Sequence, residues 1–280
     1  MARNYLPDTQ IEIANDVECG RFRHALFDFD GTISLLREGW EKIMGPVMIE
    51  MICGDTEPTP DVAKAVYDYI DESTGIQTLI QMIHLVEMVK QFGRVPSDAI
   101  LDAHGYKRIY NDRLMVPVGE RIAKLGSGEL TVDRVTLRGA LDFVRRLAAR
   151  DGVTLYIFSG TDCEDVRHEA AKVGAAPYFS GGIWGALRTL DEYSKEKVLK
   201  EIIAKHDLHG AQVLVIGDGP VEIRNAKANE CVAVGVASDE VAGHGWNEKK
   251  RERLLRAGAD ILIPDFHEAE ALMNYLFPET

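Results

Sequence analysis

Three apolar runs that stop abruptly in glycine and small polar or acidic residues constrain this chain most: HALFDFDGT (24–32), VTLYIFSGTD (153–162) and QVLVIGDGP (212–220). A continuous apolar, β-branched or aromatic run of this length suits a strand covered on both faces, as in a parallel sheet. Two further runs, CVAVGV (231–236) and ADILIPDF (259–266), extend the series. Helical patterns lie between them, one over 137–149 with Leu141, Val144, Arg145 and Ala148 at helical spacing, another over 198–204. Strand and helix in alternation predict an α/β fold with a Rossmann-like, doubly wound parallel sheet. Such sheets bind ligands outside the carboxyl ends of their strands, so the three polar endings are expected to meet on one edge.

Residues 34–133 break this rhythm. Apolar residues recur there at helical spacing, as in Ile43, Val47 and Met51 and then Leu79, Ile83 and Val86, with turns at EPTPD and GRVPSD. The expectation is an α/β core of residues 1–33 and 134–280 and an inserted helical cap of residues 34–133 lying over the ligand-binding edge. His84, inside one of the apolar patterns, is expected to be a core histidine.

The first run carries its own chemical problem. On an extended strand, positions i and i+2 project to the same side, so Asp28 and Asp30 can face one ligand while Phe27 and Phe29 face away. Two carboxylates this close repel, and burial makes the repulsion worse, unless a cation or a proton is supplied. A divalent metal resolves the conflict.

Asp28-Phe29-Asp30-Gly31-Thr32 resembles the first motif of the haloacid dehalogenase superfamily, and in particular of its aspartate-nucleophile phosphatases. The later motifs follow in order. Ser159-Gly160-Thr161 ends the second run, a lysine lies in Tyr193-Ser194-Lys195-Glu196-Lys197, and Gly217-Asp218-Gly219-Pro220-Val221-Glu222 ends the third. The resemblance covers roughly residues 22–33 and 134–275 and extends to no identifiable cap sequence.

The resemblance implies Asp28 as a nucleophile that forms an aspartyl-phosphate, and Asp30 as the acid that protonates the leaving oxygen and then activates water. It implies Mg²⁺ held by the Asp28 carboxylate, the Asp30 backbone carbonyl and Asp218, with Glu222 binding the metal through water or orienting Asp218. Ser159 and the Gly160 amide would donate to phosphoryl oxygens, and Lys195 would neutralise the nucleophile and the phosphoryl group, with Lys197 the competing lysine. Dehalogenases and P-type ATPases of the superfamily lack an acid at the position of Asp30, which points away from those reactions. A cap placed after the first motif resembles the phosphoglycolate phosphatase and β-phosphoglucomutase branch, whose substrates are small phosphorylated metabolites such as sugar phosphates.

Composition narrows the partners. With 32 basic against 45 acidic side chains, the net charge of −13 repels a nucleic-acid backbone. The basic runs KKRERLLR (249–256) and RRLAAR (145–150) read as solvated helix faces. The four cysteines make no ligand spacing and read as reduced thiols, and no apolar run approaches the ~18 residues of a membrane span. The first 20 residues lack an apolar signal core. A cytoplasmic enzyme with a small phosphorylated substrate, and neither a nucleic-acid nor a membrane partner, is expected. Arg37, Glu38 and Trp40, Gln77 in a polar break between helices, and Lys107, Arg108 and Arg113 are the insert residues that could reach a substrate, each read more readily as a solvated or packing residue than as a contact. Two rivals share the core motifs: a phosphomutase that passes the phosphoryl group to a sugar hydroxyl, and a non-catalytic binding or regulatory protein of the same fold.

Overall fold

The computed structural model describes residues 3–187 and 193–278. One sheet is built from β1 (Glu12–Ile13), β2 (His24–Phe27), β3 (Thr154–Asp162), β4 (Gly182–Ala186), β5 (Val213–Gly217), β6 (Val232–Val236) and β7 (Ile261–Ile263). Their spatial order is β1-β7-β6-β5-β2-β3-β4. Every pairing is parallel except that of β1 with β7. Numbered from β2, the parallel strands follow the 3-2-1-4-5-6 order of a doubly wound fold, whose direction reverses between β2 and β5. Phe27 is in register with Ile157 of β3 and Ile216 of β5, so β2 and β5 end almost level at that switch point while β3 runs on to Asp162.

Between β2 and β3 come α1 (Trp40–Cys53), α2 (Pro60–Glu72), α3 (Thr78–Phe92) and α4 (Ala103–Ser127), then α5 (Ala140–Ala148). Later connections are α6 (Cys163–Lys172), α7 (Lys195–His206), α8 (Pro220–Ala228), α9 (Glu248–Ala257) and α10 (Ala269–Leu276). Alternate strand residues feed two apolar layers. Ala25 and Phe27 pack with Phe143, Val166 and Leu272 of α5, α6 and α10, while Leu26 packs with Leu199, Ile223 and Leu254 of α7, α8 and α9. Helices α1 to α4 enclose a third apolar cluster of their own, including Met48, Val66, Leu85 and Tyr110.

Local details depart from the sequence reading. Helix α5 starts at Ala140 rather than Leu137, because the Leu137 amide bonds the Ile33 carbonyl at 3.0 Å and ties that segment to the loop after β2. Strands β1 and β4, unanticipated, are a two-residue edge strand and a glycine-interrupted one, both too weakly patterned to announce themselves. The buried face of α3 is Leu79, Gln81, Met82, Leu85, Met88 and Val89, so Leu79 is buried as its spacing predicts, whereas Ile83 is exposed. Nine of its fifteen residues are apolar, a stripe too broad for periodicity to single out the buried phase. His84 is half-exposed, stacked on Tyr69 at 3.9 Å between ring centroids, and so is no core histidine. The basic run of α9 is also no purely solvated face: Lys250 and Arg253 are buried beside Leu254 and Ala257, at the i, i+3, i+4, i+7 spacing of a packed stripe.

Candidate active site

The loop after β2 and the ends of β3 and β5 converge on a cavity of about 80 Å³, lined by Asp28, Asp30, Ser159, Gly160, Thr161, Lys195 and Asp218 from the core. Residues Arg37, Trp40, Thr74 to Ile76, Thr78, Gln81, Tyr110 and Leu114 complete the wall. The Asp28 amide still bonds the Ile216 carbonyl at 2.8 Å, which carries the β-ladder one residue past the end of β2 and aims the side chain from its tip. Phe27 and Phe29 are fully buried on the opposite side.

Asp28 is buried, and its Oδ1 accepts from the Phe29 amide at 2.8 Å while its Oδ2 lies 2.9 Å from Lys195 Nζ. Burial pushes its pKa well above the ordinary carboxylate range against the pull of Lys195, and the neighbouring Glu222 and Asp218 carboxylates push the same way. Lys195 also lies 3.2 Å from Glu222 Oε2. Burial works against its ammonium, but Asp28 and Glu222 hold its pKa above the usual lysine value. Lys197, two residues on, is exposed, and its amide bonds the Ser194 side chain that caps α7.

Asp30 is held differently. Its Oδ2 accepts from Thr161 Oγ1 at 2.8 Å and from Ser159 Oγ at 3.3 Å, whereas Oδ1 is buried and has no hydrogen-bond partner among the described residues. Arg37 Nε lies 3.9 Å from that Oδ1. The end of β3 is itself pinned by Tyr193, whose hydroxyl donates to the Ser159 carbonyl at 2.7 Å.

Across the switch point, Asp218 Oδ2 pairs with Lys250 Nζ at 2.9 Å, and Lys250 also reaches Glu240 Oε1 at 2.6 Å. Gly31 permits this proximity. Its φ of +73° is a left-handed conformation, and a Cβ there would stand 2.4 Å from Asp218 Oδ2. Glu222 Oε1 accepts from the Gly219 amide at 2.6 Å, so this acid closes the first turn of α8 from the third position of the helix, of which Pro220 is the first.

The carboxylates of Asp28, Asp218 and Glu222 lie within 4.8 Å of one another, all buried. Three hard oxygen donors crowded to the point of raising the Asp28 pKa form a set that a divalent, oxygen-preferring cation fits. Glu222 already spends one oxygen on Gly219 and the other on Lys195, which suits an orienting role better than direct ligation.

The residues named from the insert divide. Arg37 and Trp40 line the cavity, with Arg37 buried and bound to Glu169 on α6 at 2.6 Å and to Asp165 at 3.2 Å. Burial and the crowding of Asp30 and Asp165 hold Glu169 up at about 7 despite its guanidinium partner. Gln77 turns away from the cavity, its Nε2 donating to the Tyr193 carbonyl at 2.5 Å. Lys107 pairs with Asp162, and Arg113 forms an exposed pair with Glu50 at 2.6 Å, so neither lines the cavity. Thr161, Glu169, Lys250 and Tyr110 belong to the site or its support without having been singled out. For Lys250 a signal existed, the cation at the head of an i, i+3, i+4, i+7 stripe, and for Thr161 its place two residues after Ser159 in the same motif; for Glu169 and Tyr110 none did.

Among the described residues no helix is long and apolar enough to cross a membrane. No curated protein matches the sequence significantly. Solved structures do resemble it. A predicted phosphoglycolate phosphatase from Haemophilus somnus 129PT superposes with a TM-score of 0.59 at 15% identity, covering 90% of this chain and 98% of that one. A putative β-phosphoglucomutase from Bacteroides vulgatus gives 0.60 at 13% identity, with 94% and 93% covered. A conserved haloacid dehalogenase-like protein of unknown function from Agrobacterium tumefaciens str. C58 gives 0.57 at 18% identity, with 91% and 99% covered. At such identities the likeness speaks for the fold. The family model of haloacid dehalogenase-like hydrolases matches residues 22–229, which include Asp28, Asp30, Ser159, Lys195 and Asp218. With most of the chain inside that match and these side chains gathered at one switch point, the protein belongs to the haloacid dehalogenase-like hydrolase family.

Proposed function

We propose that the protein is a Mg²⁺-dependent phosphomonoester hydrolase acting on a small phosphorylated metabolite through an aspartyl-phosphate on Asp28. The observation that carries this reading is the division of labour between the two aspartates of one cavity. Asp28 is paired with Lys195, as a nucleophile facing a phosphoryl dianion requires, and Asp30 keeps one oxygen free of hydrogen bonds among the described residues, as a proton donor and acceptor requires. Asp28 attacks phosphorus in line as Asp30 delivers a proton to the departing oxygen. Asp30 then takes a proton from the water that splits the acyl phosphate, which restores both residues.

Ser159 Oγ, the Gly160 amide and Lys195 bind the phosphoryl oxygens. Asp28, Asp218 and the Asp30 carbonyl hold Mg²⁺, which neutralises phosphoryl charge, and Glu222 orients this set. Residues 34–133 act as a cap over a core of 1–33 and 134–280, excluding bulk water around the reacting groups. The unpaired thiols, three of them buried, suit the reducing cytoplasm, and the acidic net charge suits a protein that leaves nucleic acid alone.

Phosphate release from a panel of phosphate esters, with Mg²⁺ or with a chelator, tests the reading beside Asp28→Asn. Turnover by wild type that needs Mg²⁺ and disappears in Asp28→Asn is expected. Turnover that survives Asp28→Asn sinks the covalent mechanism, and isomerised product without free phosphate identifies a mutase instead.

A further inference from the structure

The leaving-group side of the cavity is marked by Asp30 Oδ1, the buried oxygen without a hydrogen-bond partner among the described residues. Its nearest cation is Arg37, with Nε 3.9 Å away. An arginine beside a leaving group ordinarily announces a carboxylate or a second phosphate there, because its forked donors match two oxygens at once. In this protein the fork is already filled. Arg37 Nε lies 3.0 and 3.1 Å from the two oxygens of Glu169, Nη2 donates to Glu169 Oε1 at 2.6 Å, and Nη2 also donates to Asp165 at 3.2 Å. Among the described residues only Nη1 has no acceptor, so Arg37 can offer a ligand single hydrogen bonds from one nitrogen and no paired edge.

The charge around this side also opposes an anion. Among the described residues that line the cavity, Arg37 is the single positive side chain on this side, and it faces Glu169, Asp165 and Asp30. Lys195, the other cation lining the cavity, is committed to Asp28 and Glu222. The remaining lining from the insert is uncharged, and its polar side chains include Thr78, Gln81 and Tyr110. The Tyr110 hydroxyl has no hydrogen-bond partner among the described residues, and it sits close enough to Arg37 and Asp30 to feel both charges. A neutral hydroxyl donates to and accepts from such a wall without adding charge, whereas a carboxylate there meets existing negative charge with no free fork to receive it.

Resting on the phosphomonoesterase reading, we infer that the substrate's leaving group is a neutral, hydroxyl-bearing polyol or sugar, received by single hydrogen bonds from Arg37 Nη1 and Tyr110, and that esters carrying a carboxylate near the scissile bond are rejected. Arg37 is thereby a specificity residue whose preference is set by Glu169 and Asp165 of α6.

Matched pairs that differ in a carboxylate test this: glycerol 3-phosphate against 3-phosphoglycerate, erythrose 4-phosphate against 4-phosphoerythronate, and glucose 6-phosphate against 6-phosphogluconate. Binding is measured calorimetrically on Asp28→Asn with Mg²⁺, so that the result does not depend on turnover, while phosphate release by wild type separately tests the hydrolase reading. The neutral member is expected to bind at least tenfold more tightly in each pair that binds. Glu169→Gln, which opens the fork of Arg37, is expected to narrow that ratio at least fivefold in favour of the carboxylated member. Asp165→Asn, at a half-exposed and more tolerant position, is expected to do so by a smaller factor. The inference is overturned if no neutral ester binds, if a carboxylated ester binds as tightly as its neutral partner, or if the ratio is the same in wild-type and Asp165→Asn backgrounds.

Discussion

Gly160 at the end of β3 and Ile76 from the helical insert approach so closely that a Cβ on Gly160 would stand 2.6 Å from the Ile76 carbonyl oxygen. Backbone on both sides leaves nothing flexible to give way. Gly160→Ala is therefore expected to push residues 74–76 out of the cavity wall. Turnover should fall at least tenfold, and amide exchange at 73–77 should accelerate while that of β2 and β5 stays unchanged. Normal turnover in Gly160→Ala would show that the contact does not shape the site.

Lys195 compensates a buried acidic cluster, and the cost of losing it follows from that. Lys195→Met strands Asp28 and Glu222 without their cation, and unfolding in urea is expected to show a loss of about 3–5 kcal/mol. Adding Asp28→Asn to that variant removes one stranded charge and should restore a substantial part of the loss. If the two substitutions are simply additive, the ion pair is not what stabilises this edge.

The same cluster predicts metal-linked stability. Mg²⁺ at about 100 times its dissociation constant should raise the unfolding free energy of wild type by about 2.7 kcal/mol. Asp218→Asn should abolish the increment. A thermal midpoint that is indifferent to Mg²⁺ in wild type would rule out the carboxylate set as a metal site.

His24 gives stability a pH dependence remote from catalysis. Burial, then the charge of His206, lowers its pKa from 6.5 to about 4, and its Nδ1 lies 3.0 Å from the Tyr156 hydroxyl. The unfolded chain takes up this proton below pH 6.5 but the folded chain only near 4, so stability falls as pH falls through that interval and is unaffected by this group above it. Allowing for partial contact with solvent, the loss is ~1–2 kcal/mol. Urea titrations of wild type and His24→Gln between these limits should converge as pH falls; parallel curves would exclude His24 as the source.

Asp28, Asp30 and Asp218 were legible in the sequence because each sits at the carboxyl end of an uninterrupted apolar strand, where local pattern and chemistry coincide. The parallel sheet was legible for the same reason. Arg37 was harder: its position was visible, but its commitment to Glu169 and Asp165 depends on α6 packing beside a loop 128 and 132 residues earlier in the chain. Lys250 was hidden by composition, since a run so rich in charge conceals which of its turns faces inward. In α3 the reverse held, with too many apolar residues to choose a face. The pairing of β1 needed β7, at the far end of the chain, to exist at all.

Strand β2, which carries Asp28 at its tip, lies at the centre of the sheet, and its neighbours begin only at Thr154 and Val213. On a ribosome the helices from Trp40 to Ser127 emerge next, with an apolar cluster of their own to bury, while the first parallel partner of β2 is still to be made. The order of birth thus inverts the order of importance: the insert can condense early, and the aspartate at the heart of the site waits, beside no neighbour, until the second half of the chain arrives to enclose it.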